Sequence, residues 1–222
     1  MIEKILPTGV ECVEAFTDPP GVVLFPEEEA LVAKAVEKRR REFATARNCA
    51  HRALARLGVA AAPIVRGERG APRWPAGIVG SITHCAGYRA AALARAGDML
   101  TIGIDAEPDE VLPDGVIDLV SLPDERARLR DLTAADTCWD RLLFSAKEAV
   151  YKAWFPLAGR WLGFDEADIT FSTFSATHGT FGARLLVPAP KVEGFALRGF
   201  TGRWLASDGL ILTAIALRTA GR

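Results

Sequence analysis

No apolar run in this 222-residue sequence approaches the ~18 residues that a membrane-spanning helix needs, which excludes a helical membrane protein. The N-terminus, beginning Met1 to Pro7, has no apolar signal core and carries Glu3, Glu11 and Glu14, so export is not expected. There is no C-x-x-C pair. Cys12, Cys49, Cys85 and Cys138 are scattered, which excludes a zinc cage or a secreted disulfide framework and predicts reduced thiols in the cytoplasm. G-x-S-x-G, Walker A and H-E-x-x-H patterns are also missing, and several common reaction classes go with them. Neither sign of charge prevails: 27 basic and 28 acidic side chains leave a net charge of -1, which argues against nucleic acid or a membrane surface as partner. What is present is an ordinary globular composition, 50% hydrophobic and 25% charged, enough to bury a sizeable core.

The near-zero net charge conceals segregation. Between Lys34 and Arg73 eleven basic residues face three acids, a local +8, whereas between Asp98 and Asp140 twelve acids face three arginines, a local -9. The acidic stretch from Asp109 to Asp136 reads as a solvated face.

Pro26 followed by Glu27, Glu28 and Glu29 marks a helix start, and no Gly or Pro follows until Gly58. That span exceeds the usual helix length, which predicts a break or two helices. Val36, Phe43, Ala50, Leu54 and Leu57 fall on one stripe, and Arg40 and Arg47 share it. A guanidinium there needs an anion or a local carboxylate. After the basic turn Arg66–Pro72, apolar runs at Ile78–His84, Tyr88–Ala94 and Leu100–Glu107 predict a strand meander. The segment Pro108–Pro123 reads as an acidic loop, and Ala134–Trp154 as a second helix. Strands are expected at Ile169–Phe174 and Thr180–Val187, then a hairpin of Gly202–Ser207 and Leu210–Leu217 about the Asp208-Gly209 turn. The class is α+β, with each half a helix followed by strands.

Three short runs carry the chemistry. In Ile102-Gly-Ile-Asp-Ala-Glu107, strand alternation puts Asp105 and Glu107 on one face, where they repel unless solvated or bridged by a cation, most naturally Mg²⁺ for oxygen ligands. In Phe144-Ser-Ala-Lys-Glu-Ala-Val-Tyr-Lys152, Glu148 and Lys152 are one helical turn apart, either a surface ion pair or a metal carboxylate beside a phosphate-binding cation. Gly80-Ser-Ile-Thr-His84 closes an apolar strand with polar groups, and His84 is either structural or functional.

The order and spacing of these runs resemble the Sfp-type 4′-phosphopantetheinyl transferases, most nearly the actinobacterial members of the enterobactin-synthase-like branch, the mycobacterial enzyme among them. The likeness runs from about Asp18-Pro19-Pro20-Gly21 through Arg160-Trp-Leu-Gly-Phe164 to the last hairpin. It implies transfer of the phosphopantetheine arm of coenzyme A to a serine of an apo acyl, peptidyl or aryl carrier protein, of fatty-acid, polyketide, nonribosomal-peptide or siderophore synthesis, with release of adenosine 3′,5′-bisphosphate.

It further implies that Asp105, Glu107 and Glu148 hold Mg²⁺, with Mn²⁺ as the alternative. Ala106, where many relatives carry a third acid, leaves a main-chain oxygen or water to complete the shell. Glu148 would be the base for the serine, Lys152 would contact the leaving phosphate, and Lys147 would support them. By motif register Arg39 and Arg47 match grips on the 3′-phosphate, which favours Arg39 over the stripe's Arg40. Arg66, Gly67, Glu68 and Arg69 match the adenosine-side loop; Ser81, Thr83 and His84 approach the phosphates, and the backbone of Leu162 lies near coenzyme A. The implied fold is two pseudo-symmetric α+β halves, each a helix on a small antiparallel sheet. Residues 1–104 would form the nucleotide side and 105–222 the metal side, with the site between them in a monomer. Trp154–Phe164 reads either as a packed loop or as a wall of the site. A metal-dependent phosphohydrolase or nuclease, or a non-catalytic coenzyme A-binding module, are the competing readings.

Overall fold

A computed structural model describes residues 1–132 and 137–220. The elements follow as β1 Glu11–Ala15, α1 Pro26–Val32, α2 Glu37–Arg56, β2 Ile78–Cys85, β3 Tyr88–Arg95 and β4 Met99–Pro108. Then come α3 Val116–Val120, α4 Pro123–Arg130, α5 Trp139–Ala158, β5 Ala167–Thr173, β6 His178–Leu185, β7 Lys191–Val192, β8 Phe195–Ala196, β9 Gly199–Ser207 and β10 Leu210–Arg218.

The class is α+β, and all strand pairing is antiparallel, in the orders β1-β3-β2 and β4-β10-β9-β6-β5 with a separate β7-β8 ribbon. Alternation along β3 explains the layering. Ala91 and Leu93 pack with Cys49, Ala50, Ala53 and Leu54 of α2, while Tyr88, Ala90, Ala92 and Ala94 face the other way. That second face meets Ile102, Ile104 and Ala106 of β4 and Leu210, Leu212 and Ala214 of β10. The far side of the five-stranded sheet is covered by Leu142, Leu143, Ala146, Val150 and Trp154 of α5. The molecule is therefore helix, sheet, sheet, helix.

The expected helix break is present: α1 stops at Val32 and α2 begins at Glu37, with Pro26 opening α1 and Glu28 accepting from Phe25 N at 3.2 Å. Val36 leaves the apolar stripe, because it sits in extended backbone before α2 and is exposed. The meander is corrected at its third strand. β4 does not pair with β3 but joins β10, more than a hundred residues later, so the sheets change over between Arg95 and Met99. β4, which a boundary at 104/105 would divide, thus belongs whole to the second sheet. The acidic loop is also corrected, since α3 lies within Pro108–Pro123 and α4 follows. Of the second predicted helix, Ala134 to Asp136 lie outside the described residues and α5 runs from Trp139 to Ala158. At the last hairpin Asp208 and Gly209 both have positive φ, 54° and 73°, as a tight two-residue turn requires.

Two features position the site. Edge strands β2 and β4 meet along a seam in which side-chain hydroxyls replace ladder carbonyls: Ser81 Oγ accepts from Ile104 N at 3.1 Å and Thr83 Oγ1 from Ala106 N at 3.0 Å. Across β4 lies α5, tied by Thr101 Oγ1 donating to Ala153 O at 2.8 Å. Gly103 permits that crossing, because a Cβ there would meet the backbone of Ala149 and Ala153.

Candidate active site

Alternation on β4 turns Ile102, Ile104 and Ala106 into the central core and leaves Asp105 and Glu107 together on the side of α5. Asp105 is only 4% exposed. Its Oδ1 receives Lys152 Nζ at 2.7 Å and Thr83 Oγ1 at 3.3 Å, while Oδ2 is buried with no partner among the described residues. Lys152 also donates to Ile104 O at 3.1 Å, so its ion pair is with Asp105 and not with Glu148 on its own helix. Glu107 is held by Arg141 Nη1 at 3.1 Å; burial, then the Asp105 charge, push its carboxyl up to about 7. Glu148 has no hydrogen-bond or ion-pair partner among the described residues, and burial followed by Asp105 raises it too.

Among the described residues no three ligating side chains stand close enough to enclose a metal ion: Lys152 sits on Asp105 and Arg141 on Glu107. The donor set nevertheless fits a hard divalent cation. Three carboxylates share one side of the seam, two are pushed toward protonation, and one buried oxygen is orphaned. Ala106 faces the core, so only its main chain is available to that side.

A cleft of about 450 Å³ opens beside these groups, between the loop from Gly67 to Trp74, the middle of β2 at Gly80, Ser81 and Ile82, and the face of α5 carrying Glu148, Tyr151, Lys152, Phe155 and Pro156. Of the residues expected around the nucleotide, Gly67, Glu68, Arg69 and Ser81 line it. Thr83 is committed to the seam. Arg39 reaches across to His84, with Nη1 at 2.7 Å from Nε2, whereas Arg40 points outward and lines a separate hollow with Pro19 and Pro20. Burial and then the Arg39 guanidinium drive His84 down to about 4, although its outer face meets solvent, so it stays neutral and accepts from Arg39. Arg47 is 6% exposed, donates through Nε to Ile64 O at 3.0 Å and lies 4.5 Å from the Phe43 ring centre. Burial lowers it to about 10, and the neighbouring Arg66 and Arg39 charges act in the same direction against Glu28.

Two of the expected residues turn their side chains into the protein. Lys147 is buried, and its ammonium is spent on Glu125 at 2.7 Å, Phe164 O and Ala167 O, so it bonds α5 to the β5 side and does not face the cleft. This also corrects the acidic surface, since Glu125 is 1% exposed and accepts from Leu122 N and Ile169 N as well. The Leu162 side chain packs in the α5 core.

Sequence reasoning passed over Arg141 and Tyr151. Tyr151 lies three residues beyond Glu148, a spacing that could have placed it beside that carboxylate. The Trp154–Phe164 stretch divides between its two readings. Trp154 is core, while Trp161 is 54% exposed, meets Tyr151 in a tilted ring contact with centroids 4.8 Å apart and carries the Arg69 guanidinium 5.9 Å from its ring centre. Phe155 and Pro156 line the cleft.

Two family models match the chain: the 4′-phosphopantetheinyl transferase N-terminal domain over residues 27–94, and the 4′-phosphopantetheinyl transferase superfamily over 101–197. The chain is 56% identical over 222 residues to 4′-phosphopantetheinyl transferase Svp of Streptomyces mobaraensis, covering 98% of this chain and 89% of the relative. It is 50% identical over 222 residues to 4′-phosphopantetheinyl transferase PptT of Mycobacterium tuberculosis, covering 98% of each. Enterobactin synthase component D of Salmonella typhimurium is 33% identical over 189 residues, 82% of this chain and 74% of the relative. These relatives favour transfer over the hydrolase, nuclease and bare binding-module readings. At such identity over nearly the whole length, the chain belongs to the 4′-phosphopantetheinyl transferase family.

Proposed function

We propose that this transferase, which moves the 4′-phosphopantetheine group of coenzyme A to a serine of an apo carrier protein, works from the cleft beside the β2–β4 seam. The observation that supports the reading is one cleft in which Glu148 and Lys152 of α5 face Arg69 and Arg73 of the opposite loop, with Asp105 bonded to Lys152 beside it. Arg39, Arg47 and Arg66 hold the 3′-phosphate, and Gly67, Glu68 and Arg69 border the adenosine. Asp105, Glu107 and Glu148 hold a divalent cation, magnesium before manganese, which when bound neutralises charge on the diphosphate.

The chain's own groups supply the proton chemistry. The serine oxygen attacks the phosphorus that bears the pantetheine arm, and the bond from that phosphorus to the bridging oxygen breaks. Glu148, raised by burial and by the Asp105 charge, takes the serine proton directly or through water. Lys152 donates to the leaving phosphate of adenosine 3′,5′-bisphosphate. Lys147 acts one step removed, by fixing the turn of α5 that carries Glu148. Both walls of the cleft come from one polypeptide, which supports a monomer, and the four free cysteines support a reducing cytoplasm.

Glu148→Gln tests the assignment. Carrier modification is expected to fall by at least ~10²-fold, the usual worth of a general base, while coenzyme A binding by calorimetry stays near wild type. Full transfer by this variant overturns the role.

A further inference from the structure

Glu28, in the first turn of α1, is fully buried and bonds outside its own helix. Its carboxylate accepts from Ile64 N at 2.9 Å and from His51 Nε2 at 2.9 Å, and lies 3.9 Å from Arg47 Nε. The other backbone group of Ile64, its carbonyl, accepts from that same Arg47 Nε at 3.0 Å. Ile64 is therefore clamped between Glu28 and Arg47, two residues before Arg66. Phe25 packs on the His51 ring, with centroids 5.2 Å apart, and Phe43 covers the face of Arg47.

This fixes Arg47 by one edge only. Among the described residues neither terminal nitrogen of Arg47 has a hydrogen-bond or ion-pair partner, and the nearby charges of Arg39 and Arg66 are of the same sign. The buried carboxylate that compensates Arg47 lies on its Nε side, where it does not compete for the terminal nitrogens. Like charges would otherwise splay apart.

We infer that Glu28, backed by His51, is a positioning residue for the 3′-phosphate of coenzyme A, holding Arg47 and the start of the Arg66 loop so that their free donors meet one phosphomonoester. This rests on the reading that Arg47 grips that phosphate, and the test separates the two. With one apo carrier protein, kcat/KM is measured for coenzyme A and for 3′-dephospho-coenzyme A, and the ratio is the readout, which a merely structural role would not move.

Arg47→Ala is expected to lower the ratio. Glu28→Gln should lower it about tenfold, the worth of one well-placed charge-assisted hydrogen bond. Adding Glu28→Gln to Arg47→Ala should lower it by less than the single change does, since only the hold on the Arg66 loop remains to be lost. An unchanged ratio in Glu28→Gln, or additive losses in the double variant, overturns the inference while leaving the Arg47 reading intact. An unchanged ratio in Arg47→Ala overturns the parent reading itself. If Glu28→Gln does not fold, His51→Gln is read the same way, with a lowered ratio supporting the inference and an unchanged one overturning it.

Discussion

Replacing Gly103 with alanine would place a methyl carbon 2.7 Å from Ala153 N, 3.0 Å from Ala153 Cβ and closer still to the Ala149 carbonyl oxygen. An ordinary contact begins at 3.4 Å, so α5 must move about 0.7 Å for Ala153 alone and further for Ala149. Those residues directly follow Glu148 and Lys152, and Asp105 lies two positions beyond Gly103 on the opposing strand. The shift therefore falls on the spacing between base, lysine and metal carboxylate. A displacement of ~1 Å at such a site costs on the order of 10²-fold in rate, and overpacking costs about 1–3 kcal/mol in stability. Glycine weakens a strand, so without the clash alanine would stabilise it, which makes the sign diagnostic. Carrier modification and urea denaturation provide the measurements, with coenzyme A binding as control. A Gly103→Ala protein with wild-type rate and unchanged or raised stability refutes the reasoning.

Lys147→Met should destabilise the fold by ~3–5 kcal/mol in urea denaturation, because it strands the buried Glu125 carboxylate without its cation; adding Glu125→Leu should recover much of the loss. Glu107 titrates near 7 in the folded state against an ordinary 4.5, so the folded, metal-free protein binds the extra proton between those values. Its contribution to stability is therefore greatest at low pH and falls as pH rises from about 4.5 to about 7. Magnesium should accordingly raise the melting temperature more at pH 8 than at pH 5.5, and an equal rise at both would contradict the shift.

Much of the site was legible because its residues come in short runs whose periodicity fixes direction. Strand alternation placed Asp105 and Glu107 on one face, and motif register separated Arg39, which meets His84, from Arg40, which does not. The rest depended on pairings that a local pattern does not encode. The switch of β4 to the second sheet is decided by Ile102, Ile104 and Ala106 fitting against β10 and the alanine face of β3, far away in the chain. Strand β1 was missed because it is five residues long, with Glu11 and Glu14 interrupting its apolar pattern, yet it completes the first sheet against β3. Glu125 read as one more solvated acid since nothing beside it announces Lys147 as its partner.

Intact mass analysis of apo carrier proteins incubated with the enzyme, coenzyme A and magnesium tests the central claim most directly. The account predicts a gain of one phosphopantetheine group on carriers the enzyme accepts, abolished by a chelator and by Glu148→Gln. Release of adenosine 3′,5′-bisphosphate without mass gain on any carrier, or mass gain that survives both the chelator and Glu148→Gln, would contradict it.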